Sequence, residues 1–406
     1  MSFQQGLSGL FAAAQNLDVI GNNVANANTV GFKGGGAMFA DVYANALAGG
    51  GQSAPGIGVA VTGIQQNFSQ GNISTTSNPL DVAINGGGFF RMDTNGTISY
   101  TRNGQFHLDK DGFIVNATGA KVTGYGVDAA GNILISNAGP LQISLAQLQA
   151  TATAKTDIGL NLDAREAVPT NTPFNISDPT TYNKATSMTV YDSLGNPHAF
   201  TTYYVKTGAN TWDAYGALDG IPLGSKLGTL QFNTDGSLKA GVPPLPWNVS
   251  FPLTNGATTP FAFTLDYPGT TQFGSQFGVN VLQQDGYSSG QLSGFSIGPD
   301  GMIQGRYTNG QSRTLGEFLL VNFPNATGLQ SIGNNQWNET AASGQPVPGS
   351  PGSGNLGVLQ SGAVEESNVD LTQELVDMIT AQRVYQANAQ TIKTQDQIQQ
   401  TLVNLR

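Results

Sequence analysis

The strongest constraint on this chain is that both ends carry narrow apolar stripes at helical spacing while the long middle carries none. At the start, Phe3, Leu7, Leu10, Ala14, Leu17, Gly21 and Val24 follow one another at alternating steps of four and three. That spacing predicts a helix with a coiled-coil seam, narrower than the face a helix lays on a globular core. Ser2 with Gln5 fits a capping box at its start, and Gly31 ends the pattern. At the other end, Leu371, Leu375, Met378, Gln382, Tyr385, Ala389, Ile392, Gln399 and Leu402 trace a second stripe, interrupted by glutamines. This helix is expected to run to Arg406. Ser367 with Asp370 is another capping-box match, with Asn368 or Asp370 as the N-cap. A narrow apolar face recovers too little of the ordering entropy to hold either helix alone in water. Each needs a partner: first the opposite terminus, then neighbouring copies of the chain.

Between the stripes, turn dipeptides recur: Asn95-Gly96, Asn103-Gly104, Asp111-Gly112, Asp235-Gly236, Asp300-Gly301 and Asn309-Gly310. Such pairs tolerate positive φ and close hairpins. The runs beside them (FFRM, ISYTR, GQFHL, FIVN, KVTGYG) are β-branched and aromatic, so the middle is expected to be all β. A Gly/Ala-rich stretch from Gly34 to Gly58 reads as a loop-rich connector, and Leu141 to Ala167 as a handover to a second β domain. From Gly286 the hairpin style of the first domain returns. The expected fold is mostly β with α-helical termini that pair as a coiled coil, and with nested β domains inserted between them. In segments, 1–70 is the helix plus extended connector, 71–145 the first β domain, 146–284 the inserted outer domain, 285–358 the first domain resumed and 359–406 the closing helix.

Composition narrows the function classes. Only 10% of residues are charged, with net charge −10, against ~25% charged in an ordinary soluble domain. Lys33 is the sole basic residue between Met1 and Phe90. Phosphate neutralisation needs clustered Lys and Arg, so nucleic acid and anionic membrane surfaces are excluded as partners. No apolar run reaches the roughly 18 residues that membrane insertion requires. The N-terminus lacks the charged and apolar regions of a secretory signal peptide, and the absence of cysteine suits an exported surface protein without disulfides.

Three apparent chemical motifs fail on context. Gly294-Phe295-Ser296-Ile297-Gly298 matches G-x-S-x-G, but Pro299-Asp300-Gly301 follows where a nucleophile elbow needs a helix. Its only possible bases are His107 and His198. Gly352 to Gly357 matches G-x-G-x-x-G without a strand before or a helix after. Asp109-Lys110-Asp111-Gly112 opens like a calcium loop, but its twelfth position is Ala120. Two histidines and no cysteine leave no zinc or iron site. The chain is expected to be no enzyme and to use no cofactor or metal.

Residues 16–33, NLDVIGNNVANANTVGFK, resemble the N-terminal signature of the flagellar rod and hook family at Asn22, Asn23, Ala25, Asn26, Thr29, Gly31, Phe32 and Lys33. LDVAINGGGFFRM and YTRNGQFHLDKDGFIVNATGAKVTGYG resemble its shared β domain, and the segment from Ser367 to Arg406 its closing helix. VYDSLGNPHAFTTYYVK with Trp212 is similar to the additional outer domain of hook members, and rod members are shorter. The resemblance implies a homopolymeric curved tube that transmits motor torque from rod to filament as a universal joint. It implies as partners the distal rod protein, the hook-filament junction protein, the hook cap protein and the flagellar type III export apparatus. The place implied is the bacterial hook, outside the cell, reached without a cleaved signal peptide. In the turn Asn26–Phe32, Gly31 supplies a positive φ and Phe32 an anchor. Phe39 with Tyr43, and less so Phe3 with Leu7, fit a loose Phe-xxx-hydrophobic export pattern. The alternatives are a distal rod subunit and a secreted β-rich adhesin or glycan-active protein.

Overall fold

A computed structural model describes residues 2–42, 56, 58–128, 131–239 and 244–404 of the 406-residue chain. Strands fill the middle, and a helix stands at each end: α1, Ser2–Ala25, and α2, Leu371–Asn404. The chain divides into two compact units. The first is built from residues 1–144, 294–305 and 312–406, the second from 145–293 and 306–311.

Local chemistry sets the helix ends. The Asp370 carboxylate accepts from the N–H groups of Thr372 and Gln373 at 2.9 and 3.2 Å, which makes it the N-cap of α2. Asn368, the other N-cap candidate, is engaged elsewhere. At the start of α1 the Gln5 amide donates to the Gly56 carbonyl at 2.6 Å. Arg406 lies outside the described residues.

The connector after α1 departs from the loop expected there. Gly35–Val42 and Gly58–Gln66 pair as antiparallel strands, with a bulge between Met38 and Phe39. The pleat's alternation is carried by side chains, and in a Gly/Ala-rich stretch there are few to carry it. In the rest of the first unit, Phe89–Thr94 and Thr97–Thr101 form a hairpin whose turn places Asn95 at φ 53° and Gly96 at φ 90°. Gly112, Gly236, Gly301 and Gly310 also have positive φ at their turns. Asn103-Gly104 does not, and its role is different (below). Phe68, Phe89, Phe323 and Trp337 meet edge to face at centroid distances of 5.4–5.9 Å in the core of this unit. The indole N–H of Trp337 donates to Gln66 at 2.6 Å, tying that core to the connector hairpin.

The second unit packs two four-stranded sheets. One orders Trp247–Phe251, Phe261–Asp266, Lys155–Asn161 and Gly278–Gln284; the other orders Lys184–Tyr191, Pro197–Gly208, Thr211–Leu218 and Ile221–Gln231. Alternate residues turn inward, as the strand period of two requires: Phe200, Thr202, Tyr204 and Lys206 from one strand, Trp247, Val249 and Phe251 from another. Trp212, Phe200 and Leu265, all at 0% exposure, form the centre of the shared core.

Truncating Phe200 to alanine is expected to lower the stability of the second unit by about 3–5 kcal/mol. Hydrogen exchange read by mass spectrometry will show the loss in residues 184–266 while residues 89–127 keep their protection.

Candidate assembly interface where the chain ends meet

The lone basic residue of the first ninety is buried. Lys33 Nζ stands 2.6 Å from Glu365 Oε1, with both side chains at 0% exposure, and also donates to the Ser69 carbonyl at 2.7 Å. Arg102 Nη1 reaches the second carboxylate oxygen at 3.2 Å. The Gly71 N–H donates to Glu365 Oε1 at 2.9 Å, and the Gly31 N–H to the Glu365 backbone carbonyl at 2.8 Å. One carboxylate therefore joins the turn after α1, the connector, the first β domain and the approach to α2. Burial pulls the Lys33 ammonium and the Arg102 guanidinium below their ordinary pKa ranges, and Glu365 pulls both the other way. Asn368 reinforces the junction: it accepts from Gly34 N–H at 2.8 Å and donates to Asn67 O at 2.7 Å.

Gly31 has φ 71°, and a β-carbon there would lie 2.7 Å from the Asn103 nitrogen. Both facts demand glycine. Asn103-Gly104 is thus a platform under the signature turn rather than a hairpin tip. Within the turn, the Asn26 amide donates to Asn22 O at 3.0 Å, the Thr29 hydroxyl reaches Asn26 Oδ1 at 3.3 Å and the Phe32 N–H donates to Thr29 O at 3.1 Å. Phe32 itself is half-buried and Asn22 is exposed.

The two helices touch in opposite directions. A β-carbon at Gly6 would be 3.2 Å from Ile392 Cγ1 and one at Gly9 2.8 Å from Asn388 Oδ1, while Asn23 donates to Glu374 at 2.9 Å. Asn23 is 4% exposed; it also donates to Gly35 O and accepts from Gly35 N–H, locking the hairpin's first residue. Burial raises the Glu374 pKa against the opposing hydrogen bond from Asn23.

These contacts correct the expected stripes. The buried residues of α1 are small or lie one step round: Gly6, Ala12, Ala13, Val19, Ile20 and Asn23; on α2 it is Ala381. Phe3, Leu7, Leu371, Leu375 and Tyr385 are exposed, and Leu10, Leu17, Val24, Met378 and Ile392 are half-buried. Small residues permit close approach, whereas a hydropathy stripe selects the bulky ones. The Leu402 side chain and Tyr43 lie outside the described residues, and Phe39 is exposed. Glu365, Arg102 and Asn368 carry the junction but were not anticipated in these roles. The available signal was Lys33 itself, a solitary cation in an uncharged stretch, which implies a buried partner.

The dismissed motifs stand in a strand and in turns. Gly294 to Ile297 lies within the strand Leu292–Ile297, and 352–357 is turn and bend. Asp109 Oδ1 accepts from the N–H groups of Asp111 and Phe113, closing its own turn. Among the described residues no group of three His, Cys, Asp or Glu could hold a metal ion.

A chain whose two end segments meet at one buried ion pair is an axial flagellar protein by its matches. Residues 3–33 match the family described as Flagella basal body rod protein, and 360–405 that described as Flagellar basal body rod FlgEFG protein C-terminal. Residues 83–190 match Flagellar hook protein FlgE/F/G D1 domain, and 161–287 match Flagellar basal body protein FlaE D2 domain. The flagellar hook protein FlgE of Escherichia coli (strain K12) is 45% identical, with 100% of each chain covered. That of Borreliella burgdorferi is 32% identical over 100% of this chain and 99% of its own. The crystal structure of Helicobacter pylori flagellar hook protein FlgE2 aligns with a TM-score of 0.53 at 13% identity, covering 71% of this chain and 99% of that one, a likeness of fold. The chain belongs to the flagellar hook protein family. It is a structural subunit of the hook, and neither the rod nor the adhesin reading is favoured.

Replacing Glu365 by Gln leaves two buried cations uncompensated and is expected to cost about 3–5 kcal/mol in urea denaturation. Gly31→Ala should lose more than the ~1–2 kcal/mol of a left-handed alanine, because the added carbon also meets Asn103.

Proposed function

We propose that α1 and α2 pair as an antiparallel coiled coil, and that copies of this chain assemble through the helices into a curved, flexible tube that carries torque from rod to filament. The observation that supports this best is the row of bulky side chains left outside the intrachain contact. Phe3, Leu7, Phe11, Leu371, Leu375, Val376, Ile379 and Tyr385 are each more than a third exposed. With Leu10, Leu17, Val24, Met378 and Ile392, they form faces for neighbouring subunits. Exposed apolar faces of this extent on helices call for cover. Burial by neighbours supplies the ordering energy that a narrow helix pair lacks.

The five-segment division given above corresponds, in this reading, to assembly helices around two rigid β bodies. The signature residues Asn22, Asn23, Asn26, Thr29, Gly31, Phe32 and Lys33 fix the exit angle of α1. The partners of the assembled tube are the distal rod protein, the hook-filament junction protein and the hook cap protein. Delivery runs through the flagellar type III export apparatus, without a cleaved signal peptide, and Phe39 with Tyr43 is the export-motif candidate.

Deleting residues 371–406 is expected to abolish polymerisation and leave the β units folded. Tubes of the truncated chain under negative-stain electron microscopy after salting out would sink the helix-driven assembly. Circular dichroism of the dilute full-length chain should be dominated by β signal, with helix rising as tubes form. A fully developed helix signal before assembly would contradict folding on assembly.

A further inference from the structure

The second unit holds a half-buried histidine between two carboxylates, at the start of the strand Pro197–Gly208. His198 Nδ1 lies 2.6 Å from Asp219 Oδ2 and Nε2 lies 3.3 Å from Asp192 Oδ2, with the side chain 11% exposed. An ionised carboxylate only accepts hydrogen bonds, so both ring nitrogens must donate. A neutral imidazole has one N–H and would aim its lone pair at a carboxylate oxygen.

Each carboxylate is the hub of a different turn. Asp192 is fully buried; it accepts from Leu194 N–H and Asn196 N–H at 2.9 Å, from the Asn196 amide at 2.9 Å and from the Asn255 amide at 2.6 Å. Asp219, at φ 50°, accepts from Ala199 N–H at 2.8 Å and opens the turn into Ile221–Gln231. From the other elements, Val190 is its cross-strand partner and the Phe261 ring lies at 6.1 Å. Among the described residues, the charged groups acting on it are Asp219 and Asp192.

We propose that His198 is a proton-operated clasp, which as an imidazolium cross-links the 192–196 turn to the 219–220 turn and which opens on losing its proton. Burial of the ring lowers its proton affinity, but the hydrogen bonds and charges of Asp219 and Asp192 outweigh this and the net shift is upward. Burial likewise opposes ionisation of Asp192, yet the hydrogen bonds from Asn196, Asn255 and His198 hold it well below the ordinary carboxylate range. A histidine raised in the folded state contributes stability that is complete below the unfolded value of about 6.5 and is lost as pH rises through the folded value. The second unit therefore loosens at alkaline pH. Nothing in this depends on how the helices assemble, so either outcome leaves the proposed function standing.

Histidine-selective NMR of the full-length chain tests the clasp, because the chain has only His107 and His198 and the His107→Gln variant assigns the signals. At about pH 6.5 the His198 ring should have both nitrogens protonated and titrate only at higher pH. Asp219→Asn should move that titration down. The urea midpoint of the second unit should fall from about pH 6 to about pH 9, and His198→Gln should remove that slope. A single neutral tautomer at about pH 6.5, or an unchanged slope in His198→Gln, overturns the proposal. If His198→Gln does not fold, the Asp219→Asn titration decides alone, and no downward shift refutes the clasp.

Discussion

The first unit depends on one buried carboxylate. A cation the size of lysine's ammonium is costly to bury unless it is paired, and Lys33 is fully buried. Glu365 meets that requirement for Lys33 and Arg102 together, so three distant stretches of sequence are held in one geometry. The turn after α1, the floor supplied by Asn103 and the approach to α2 then have little freedom left. Asn368 and Asn23 extend the same junction by bonding backbone at Gly34 and Gly35. Directional polar groups set the angles here. Apolar packing is concentrated elsewhere, in the core around Phe89 and Trp337 and in the sandwich core of the second unit.

The helices divide their surfaces accordingly. Glycine, alanine and asparagine face inward, where close approach matters more than bulk. Val19 and Ile20 join them, while Phe3, Leu7, Phe11, Leu371, Leu375 and Tyr385 remain outside. In the proposed function, assembly and helix order are linked through these same exposed residues.

Much of this fold was legible in the sequence. Helical periodicity at both ends and turn dipeptides between them follow directly from chain stereochemistry, and the structure has helices and strands in those places. The connector hairpin was not legible, since glycine and alanine erase the alternation that marks a strand. The intrachain helix contact was misread for a related reason: periodicity counts hydrophobicity, and Gly6, Gly9 and Ala13 have little of it. Glu365 was invisible because a pair 332 residues apart leaves no local pattern. Lys33 announced only that some partner must exist.

That separation of 332 residues has a consequence for how the molecule comes into being. A contact between such distant positions forms late, because the intervening chain must be largely in place before the ends can meet. A product cut short between Arg102 and Glu365 still contains Lys33 and Arg102 but lacks the group that neutralises them. Such a fragment cannot close its base, however well its β units fold. The ion pair is thus an electrostatic condition that only a chain extending through Glu365 can meet.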